Sequence, residues 1–336
     1  MAKVRWLLVG AGDIATRRVA PALAAAENSA LIAVCDTKRE RAAALADRFG
    51  VRTVHADLAT ALADCEADAV YIATPQHTHV ELSLAVLAAG KHLLCEKPLG
   101  LNGAECLRLL EAARRSERVT SCSNYRRLSE QVKVTEAMLA RGEIGSLTGG
   151  WAVYSTPFYN PGNAPICQAF GLSRIKELGY YLIDLAHNFL GMPCAVMAQG
   201  SILHPDVMND VEELATVVLK FPQSGMFTIL LNCTSPGTRH ELELFGTEGR
   251  IYWPEWPPHD NGPVVKITAA GTEEIPAHTA ENWHLPMIED YVQAVLTGRQ
   301  PVCTLESAVR TEIITDAVFR SLANGRVEAV AWEKQG

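Results

Sequence analysis

Between residue 3 and about residue 123, short apolar runs alternate with longer amphipathic stretches. The runs VRWLLVG, ALIAVC, TVHA, AVYIAT, KHLLC and VTSCS are nearly unbroken in apolar residues, as strands covered on both faces are. Between them, stretches such as RERAAALADRFG and VELSLAVLAAG are Ala-rich and amphipathic, and each closes on a Gly suited to a helix C-terminus. Strand alternating with helix predicts an α/β, doubly wound parallel sheet.

After one more helical stretch, VKVTEAMLARGEIG, the pattern changes near residue 146. LTGGWAVYS, AVMAQGSIL, ELATVVLKF, GMFTILLNC and HELELFGTEGRIYW alternate with period two and are broken by Gly and Pro. This predicts an α+β domain with a large, mostly antiparallel sheet, one face covered. Two helical patterns, NWHLPMIEDYVQAVLTG and TLESAVRTEIITDAVFRSLANG, close the chain. The expected division is residues 1–123 for the doubly wound domain and 124–336 for the second. The open sheet face of the second domain is expected to be covered by another copy, in a homodimer or homotetramer.

A length of 336 residues suits two domains, and a formal net charge of -8 with no basic run argues against nucleic acid as a partner. No apolar stretch reaches the roughly 18 uninterrupted residues of a membrane span, so no membrane partner is expected. The opening MAKVRWLLVGAG reads as a strand and not a leader, because Asp13, Arg17 and Arg18 follow at once. Nine cysteines without a CxxC pair read as small buried residues of a cytoplasmic protein. His77 and His79 form an HxH, but no third ligand stands at a recognisable spacing, and no metal is expected.

The first chemical signal follows the first strand, where Gly10-Ala11-Gly12-Asp13-Ile14-Ala15 opens a helix. Small residues there let amides of the helix N-terminus approach a pyrophosphate. Asp36, with Thr37 after it, ends the second strand, 24 positions beyond Gly12, where a carboxylate binds the two ribose hydroxyls of an adenosine and repels a 2′-phosphate. NAD is therefore expected before NADP; Lys38 and Arg39 just behind leave NADP as the alternative. Two further strand ends carry polar clusters, Thr74-Pro75-Gln76-His77-Thr78-His79 and Cys95-Glu96-Lys97-Pro98, and strand carboxyl ends line the crevice of such sheets. Thr74, Pro75, His77, His79, Glu96 and Lys97 are accordingly expected at the cofactor, and Pro98 is a candidate for a cis peptide.

In this order and spacing, GAGDIA, Asp36, ATPQHTH, CEKP, NYRR at 124–127, FGTEG at 245–249 and IEDYVQAVLTG resemble the Gfo/Idh/MocA oxidoreductases over nearly the whole chain. The resemblance implies an N-terminal Rossmann domain, a C-terminal substrate-binding and oligomerisation domain, and a NAD(P)-dependent enzyme. Such an enzyme moves a hydride between nicotinamide and a secondary alcohol or carbonyl of a polyhydroxylated sugar, cyclitol or diol. Lys97 is then catalytic and beside the nicotinamide, where it can hydrogen-bond the reacting oxygen. Aligned on Leu182–Gly191, the family's Asp-x-Gly-x-His element falls on Glu177, Gly179 and Tyr181, which makes Tyr181 the proton-exchanging group and Glu177 its neighbour on one helical face. A second register takes Asp184 with His187, although His187 reads as a helix-surface residue. Asp184, Tyr154 and Phe158 are substrate candidates, with Tyr159 and Asn160 in the same Pro- and Gly-rich loop. Arg126 is a candidate for cofactor or substrate, and Trp283 and His284 read as packing that could reach the site. Two rival readings are a catalytically silent NAD(P)-binding sensor and a reductase of a non-sugar carbonyl.

Overall fold

A computed structural model describes residues 3–156, 174–205, 212–222, 225–256, 262–278 and 280–332. The chain forms two compact units, Met1–Leu128 with Ala280–Val309 and Ser129–Thr279 with Arg310–Gly336.

The first unit holds six parallel strands: β1 (Val4–Val9), β2 (Ser29–Cys35), β3 (Thr53–His55), β4 (Ala69–Ile72), β5 (His92–Cys95) and β6 (Thr120–Cys122). Their order, β3-β2-β1-β4-β5-β6, reverses direction between β1 and β4, and a crevice opens there at the strands' carboxyl ends. All of β4 and five of the six residues of β1 are buried, which is why both read as continuous apolar runs. The first helix begins at Asp13, passes through a π-helical turn at Ala15–Val19 and continues as α1 (Ala20–Ala25). Pro21 has no N–H to give to that ladder, and the widened turn comes just before it. The helices that follow are α2 (Arg39–Arg48), α3 (Leu58–Asp64), α4 (His79–Ala88) and α5 (Gly103–Ser116), with Asp57 and Asn102 capping α3 and α5.

Residues 280–309 belong to this unit by their contacts, although they follow the second sheet in sequence. Tyr291 is fully buried with its ring 5.3 Å from that of Trp6, and its hydroxyl donates to the Val119 carbonyl at 3.0 Å. Ser121 donates to the Cys303 carbonyl.

In the second unit the described residues form α6 (Glu130–Ala140), β7 (Leu147–Ser155), α7 (Tyr180–Leu190) and seven consecutive antiparallel-type strands. These are β8 (Ala195–Ser201), β9 (Leu214–Lys220), β10 (Met226–Asn232), β11 (Arg239–Gly246), β12 (Gly249–Trp253), β13 (Val264–Thr268) and β14 (Gly271–Ile275). With the short β15 (Glu328–Ala329) they make a sheet ordered β14-β13-β12-β11-β7-β10-β9-β8-β15, parallel only between β7 and β10. Burial alternates along β9 and β10, as the period-two pattern requires. The inner face carries Phe227, Ile229, Leu244 and Trp253, and the Trp253 indole N–H donates to Thr135 of α6 at 3.0 Å. Met197, Met226 and Leu230 are exposed. The β13–β14 hairpin adds to the strands expected from the pattern. The two remaining helices are α8 (Leu285–Thr297) and α9 (Leu305–Asn324).

Candidate active site

At the end of β1 the chain must turn past β4. Gly10 does so with φ +96°, and a Cβ there would lie 2.4 Å from the Ala73 carbonyl oxygen, so only glycine fits. Gly12 differs: a Cβ there would meet nothing within 4 Å, and its face is open where the helix begins. Asp13 and Ile14 are exposed on the first turn, and Thr16 donates both its N–H and its hydroxyl to the Gly12 carbonyl. Asp36 is half-buried and ties the turn to β2: one carboxylate oxygen accepts the Ala11 N–H at 2.7 Å, the other the Lys38 N–H at 2.8 Å. A carboxylate has about four acceptor sites, so both oxygens keep capacity for ribose hydroxyls. Thr37, Lys38 and Arg39 are exposed beside it. An open glycine face, a helix N-terminus and a carboxylate with spare acceptor capacity fit a dinucleotide.

The loops after β4 and β5 are bound to each other. Thr74 and Thr78 share a hydrogen bond of 2.7 Å, Pro75 and His77 are exposed, and Gln76 donates to the Gly100 carbonyl. His79 is buried, with its ring nitrogens 2.8 Å from the Thr74 and Pro98 carbonyl oxygens. Burial holds its imidazole below the ordinary value despite the two carbonyls, so the neutral ring donates to one of them. Its ring nitrogens thus serve the two loops, and His77 and His79 do not act as a pair. Among the described residues no cluster of His, Cys, Asp and Glu could hold a metal ion. The Lys97–Pro98 peptide is cis.

Lys97 is half-buried and follows a carboxylate that is only 5% exposed. One oxygen of Glu96 accepts the Tyr71 hydroxyl (2.7 Å), the Ser123 hydroxyl (3.1 Å) and His284 Nε2 (3.0 Å); the other accepts the Lys97 backbone N–H (3.1 Å). Burial alone would push this carboxyl up, but His284, Tyr71 and the Lys97 charge outweigh it and bring it down to about 2. Burial, and then the Glu96 charge, push the Tyr71 phenol well above its usual value. Nearby, Arg126 is buried with its guanidinium 5.7 Å from the Tyr125 ring and 6.0 Å from the Trp283 ring, which also takes Arg18 at 4.6 Å.

In the second unit a π-helical turn, Ile175–Gly179, leads into α7 and places Glu177 and Tyr181 about one widened turn apart. A Cβ at Gly179 would come within 2.9 Å of a terminal methyl of Leu231, a contact that a shift of that side chain relieves. Glu177 forms a 2.7 Å ion pair with Arg174, which is 1% exposed. Tyr181 is buried. Asp184 and His187 are buried too, which corrects the expectation of a surface histidine. The Thr311 hydroxyl donates to Asp184 at 2.9 Å and accepts from His187 Nε2 at 2.9 Å. The cause is α9: its Thr311 covers the face of α7 that periodicity left open. Tyr154, next to last in β7, lies inside an aromatic group, 4.1 Å from the His240 ring and 5.3 Å from that of Trp256. Phe158, Tyr159 and Asn160 lie outside the described residues. Arg174 and His240 were not singled out from the sequence; the i,i+3 spacing of Arg174 and Glu177 is readable, while nothing along the chain marks His240.

A six-stranded doubly wound sheet with a glycine turn and ribose-side carboxylate at its switch point defines a dinucleotide-binding architecture. Residues 4–124 match the family described as "Oxidoreductase family, NAD-binding Rossmann fold", and residues 132–252 match the GFO/IDH/MocA C-terminal domain. The chain belongs to the Gfo/Idh/MocA oxidoreductase family. An uncharacterized oxidoreductase of Rhizobium meliloti is 30% identical over 97% of this chain and 99% of its own length. The dTDP-3,4-didehydro-2,6-dideoxy-alpha-D-glucose 3-reductase of Actinomadura kijaniata is 29% identical over 94% of each chain. Among solved structures, a levoglucosan dehydrogenase in complex with NADH and levoglucosan superposes with a TM-score of 0.88 at 20% identity, covering 98% of this chain and 99% of that one. No helix of the described residues is long and apolar enough to cross a membrane.

Proposed function

We propose that this protein is a NAD-dependent dehydrogenase or reductase of a secondary alcohol or carbonyl on a sugar, cyclitol or diol. The observation that carries the reading is the convergence, at the carboxyl ends of one sheet, of an open Gly12 face, the Asp36 carboxylate and a Lys97 anchored through Glu96. The sugar substrates in the names of the relatives support the substrate class. Bound nicotinamide supplies the hydride acceptor or donor at C4. The chain supplies the rest: Asp36 holds the adenosine ribose, amides at the start of the first helix bind the diphosphate, and the Lys97 ammonium hydrogen-bonds the reacting oxygen. Tyr181 exchanges the hydroxyl proton, with Glu177 kept in place by Arg174. A second copy covers the exposed Met197, Met226 and Leu230 of the sheet, giving a homodimer or homotetramer.

The test is a fluorescence titration with NADH and NADPH, followed by a panel of sugars, cyclitols and diols with the oxidised cofactor. NADH binding tighter by about tenfold, or roughly 1.4 kcal/mol, and turnover of a polyol are expected. Cofactor binding without turnover on any member would contradict the enzymatic reading.

A further inference from the structure

We propose that His284 is a positioning residue for Lys97, acting through the Glu96 carboxylate; this rests on Lys97 being the catalytic lysine proposed above. His284 stands 188 residues from Glu96 in sequence, yet both belong to the first unit and both are buried. Its Nε2–H donates to Glu96 at 3.0 Å, and among the described residues its Nδ1 meets no donor or acceptor. The ring's polar commitment is therefore to Glu96. The ring is set in place from three sides: it packs 4.6 Å from the Tyr125 ring, its backbone N–H donates to Asn282 at 3.1 Å, and Asn282 in turn donates to the Arg18 carbonyl at 2.8 Å.

The other oxygen of Glu96 accepts the backbone N–H of Lys97, so whatever fixes this carboxylate fixes the peptide from which the lysine side chain leaves. Tyr71 and Ser123 hold the carboxylate from the sheet side, and each is a neutral hydroxyl. His284 is the donor that comes from outside the strands, on the segment that enters α8. A purely space-filling aromatic at this position would leave a buried carboxylate with one donor fewer, and burial favours its protonated form. The groups facing Glu96 are Tyr71 at the end of β4, Cys122 and Ser123 at the end of β6, His79 at the start of α4, Lys97 and His284 itself. Of these, the hydrogen bond from His284 does most to hold the carboxyl down.

The experiment compares wild type with His284→Ala, His284→Asn and His284→Gln. The amide nitrogen of Gln reaches the place of Nε2, whereas that of Asn reaches only the place of Nδ1. Turnover on the panel substrate is expected to fall by about tenfold to a hundredfold in the Ala and Asn variants and to stay within about threefold in the Gln variant, as for a catalytic group displaced by an ångström or less. NADH affinity is expected to change less than about twofold in all three. The pH profile separates positioning from bulk: Ala and Asn gain an acid limb as Glu96 becomes protonated, and Gln does not. Carbon-13 NMR of labelled glutamate reads the same event without any substrate, as a Glu96 carboxyl whose titration moves up in pH in Ala and Asn alone. Loss of turnover with the new titration, rescued by Gln, supports the proposal. Wild-type turnover in Asn, or a Glu96 signal that stays flat in both Ala and Asn, overturns it. Lys97→Ala is run alongside: if it turns over like wild type, the functional reading itself fails, whereas a dead Lys97→Ala with unaffected His284 variants removes only this inference.

Discussion

Gly10 and Gly12 lie two residues apart in the same turn, and the structure assigns them opposite sensitivities. In Gly10→Ala the new methyl would sit 2.4 Å from the Ala73 carbonyl oxygen, on a backbone with φ +96°. Strained backbone of this kind costs about 1–3 kcal/mol and overpacking a further ~1–3 kcal/mol, so the apoprotein should lose about 2–6 kcal/mol. In Gly12→Ala the methyl meets nothing within 4 Å, and Gly12 is not among the glycines with positive φ. The apoprotein should keep its stability within about 0.5 kcal/mol. The methyl instead stands where a diphosphate must approach, and NADH affinity should fall ten- to a hundredfold, roughly 1.4–2.7 kcal/mol. Denaturant unfolding of the apoprotein and NADH fluorescence titration measure the two effects on the same preparations. Wild-type NADH affinity in Gly12→Ala would refute the placement of the cofactor; unaltered stability in Gly10→Ala would refute the packing of β1 against β4.

Three more outcomes are expected. Asp36→Ala removes the ribose-side carboxylate and strands the buried Ala11 amide, so NADH binding should weaken by about tenfold or more and the NADH-to-NADPH affinity ratio should fall, both read by fluorescence titration. Tyr181→Phe should cut kcat by about a hundredfold or more while leaving NADH affinity unchanged, checked by steady-state kinetics beside the same titration. Glu96 is held at about 2 against an ordinary 4.5, so it contributes stability above pH 4.5 that is lost as pH falls toward 2, about 3 kcal/mol in all. Tyr71→Phe removes one of its donors and lets the folded-state carboxyl rise toward its ordinary value, so the acid loss measured by denaturation should begin at the same pH, set by the unfolded chain, but be smaller and level off at a higher pH than in wild type.

Both sheets were legible because burial writes itself into period: β1 and β4 are covered on two faces and read as unbroken apolar runs, while β9 and β10 alternate. The β13–β14 hairpin escaped because β14, GTEEI, is almost entirely exposed and carries no apolar stripe. What the chain pattern could not show were pairings between distant segments. The return of residues 280–309 to the first unit depends on Tyr291 meeting Trp6, and the anchoring of Glu96 on His284 across 188 positions. His187 read as a surface residue for the same reason, since nothing near it in sequence announces Thr311. Local motifs fared differently: Gly10, Gly12 and Asp36 act within one turn, and their spacing alone brings them together.

The most direct test of the account is the turnover of Lys97→Ala on the substrate identified by the polyol panel, with NADH affinity measured on the same sample. The account predicts a loss in kcat of about a thousandfold, with the dissociation constant for NADH within about threefold of wild type. Turnover within about tenfold of wild type would contradict it, because the reacting oxygen would then be polarised by something other than the lysine that Glu96 holds.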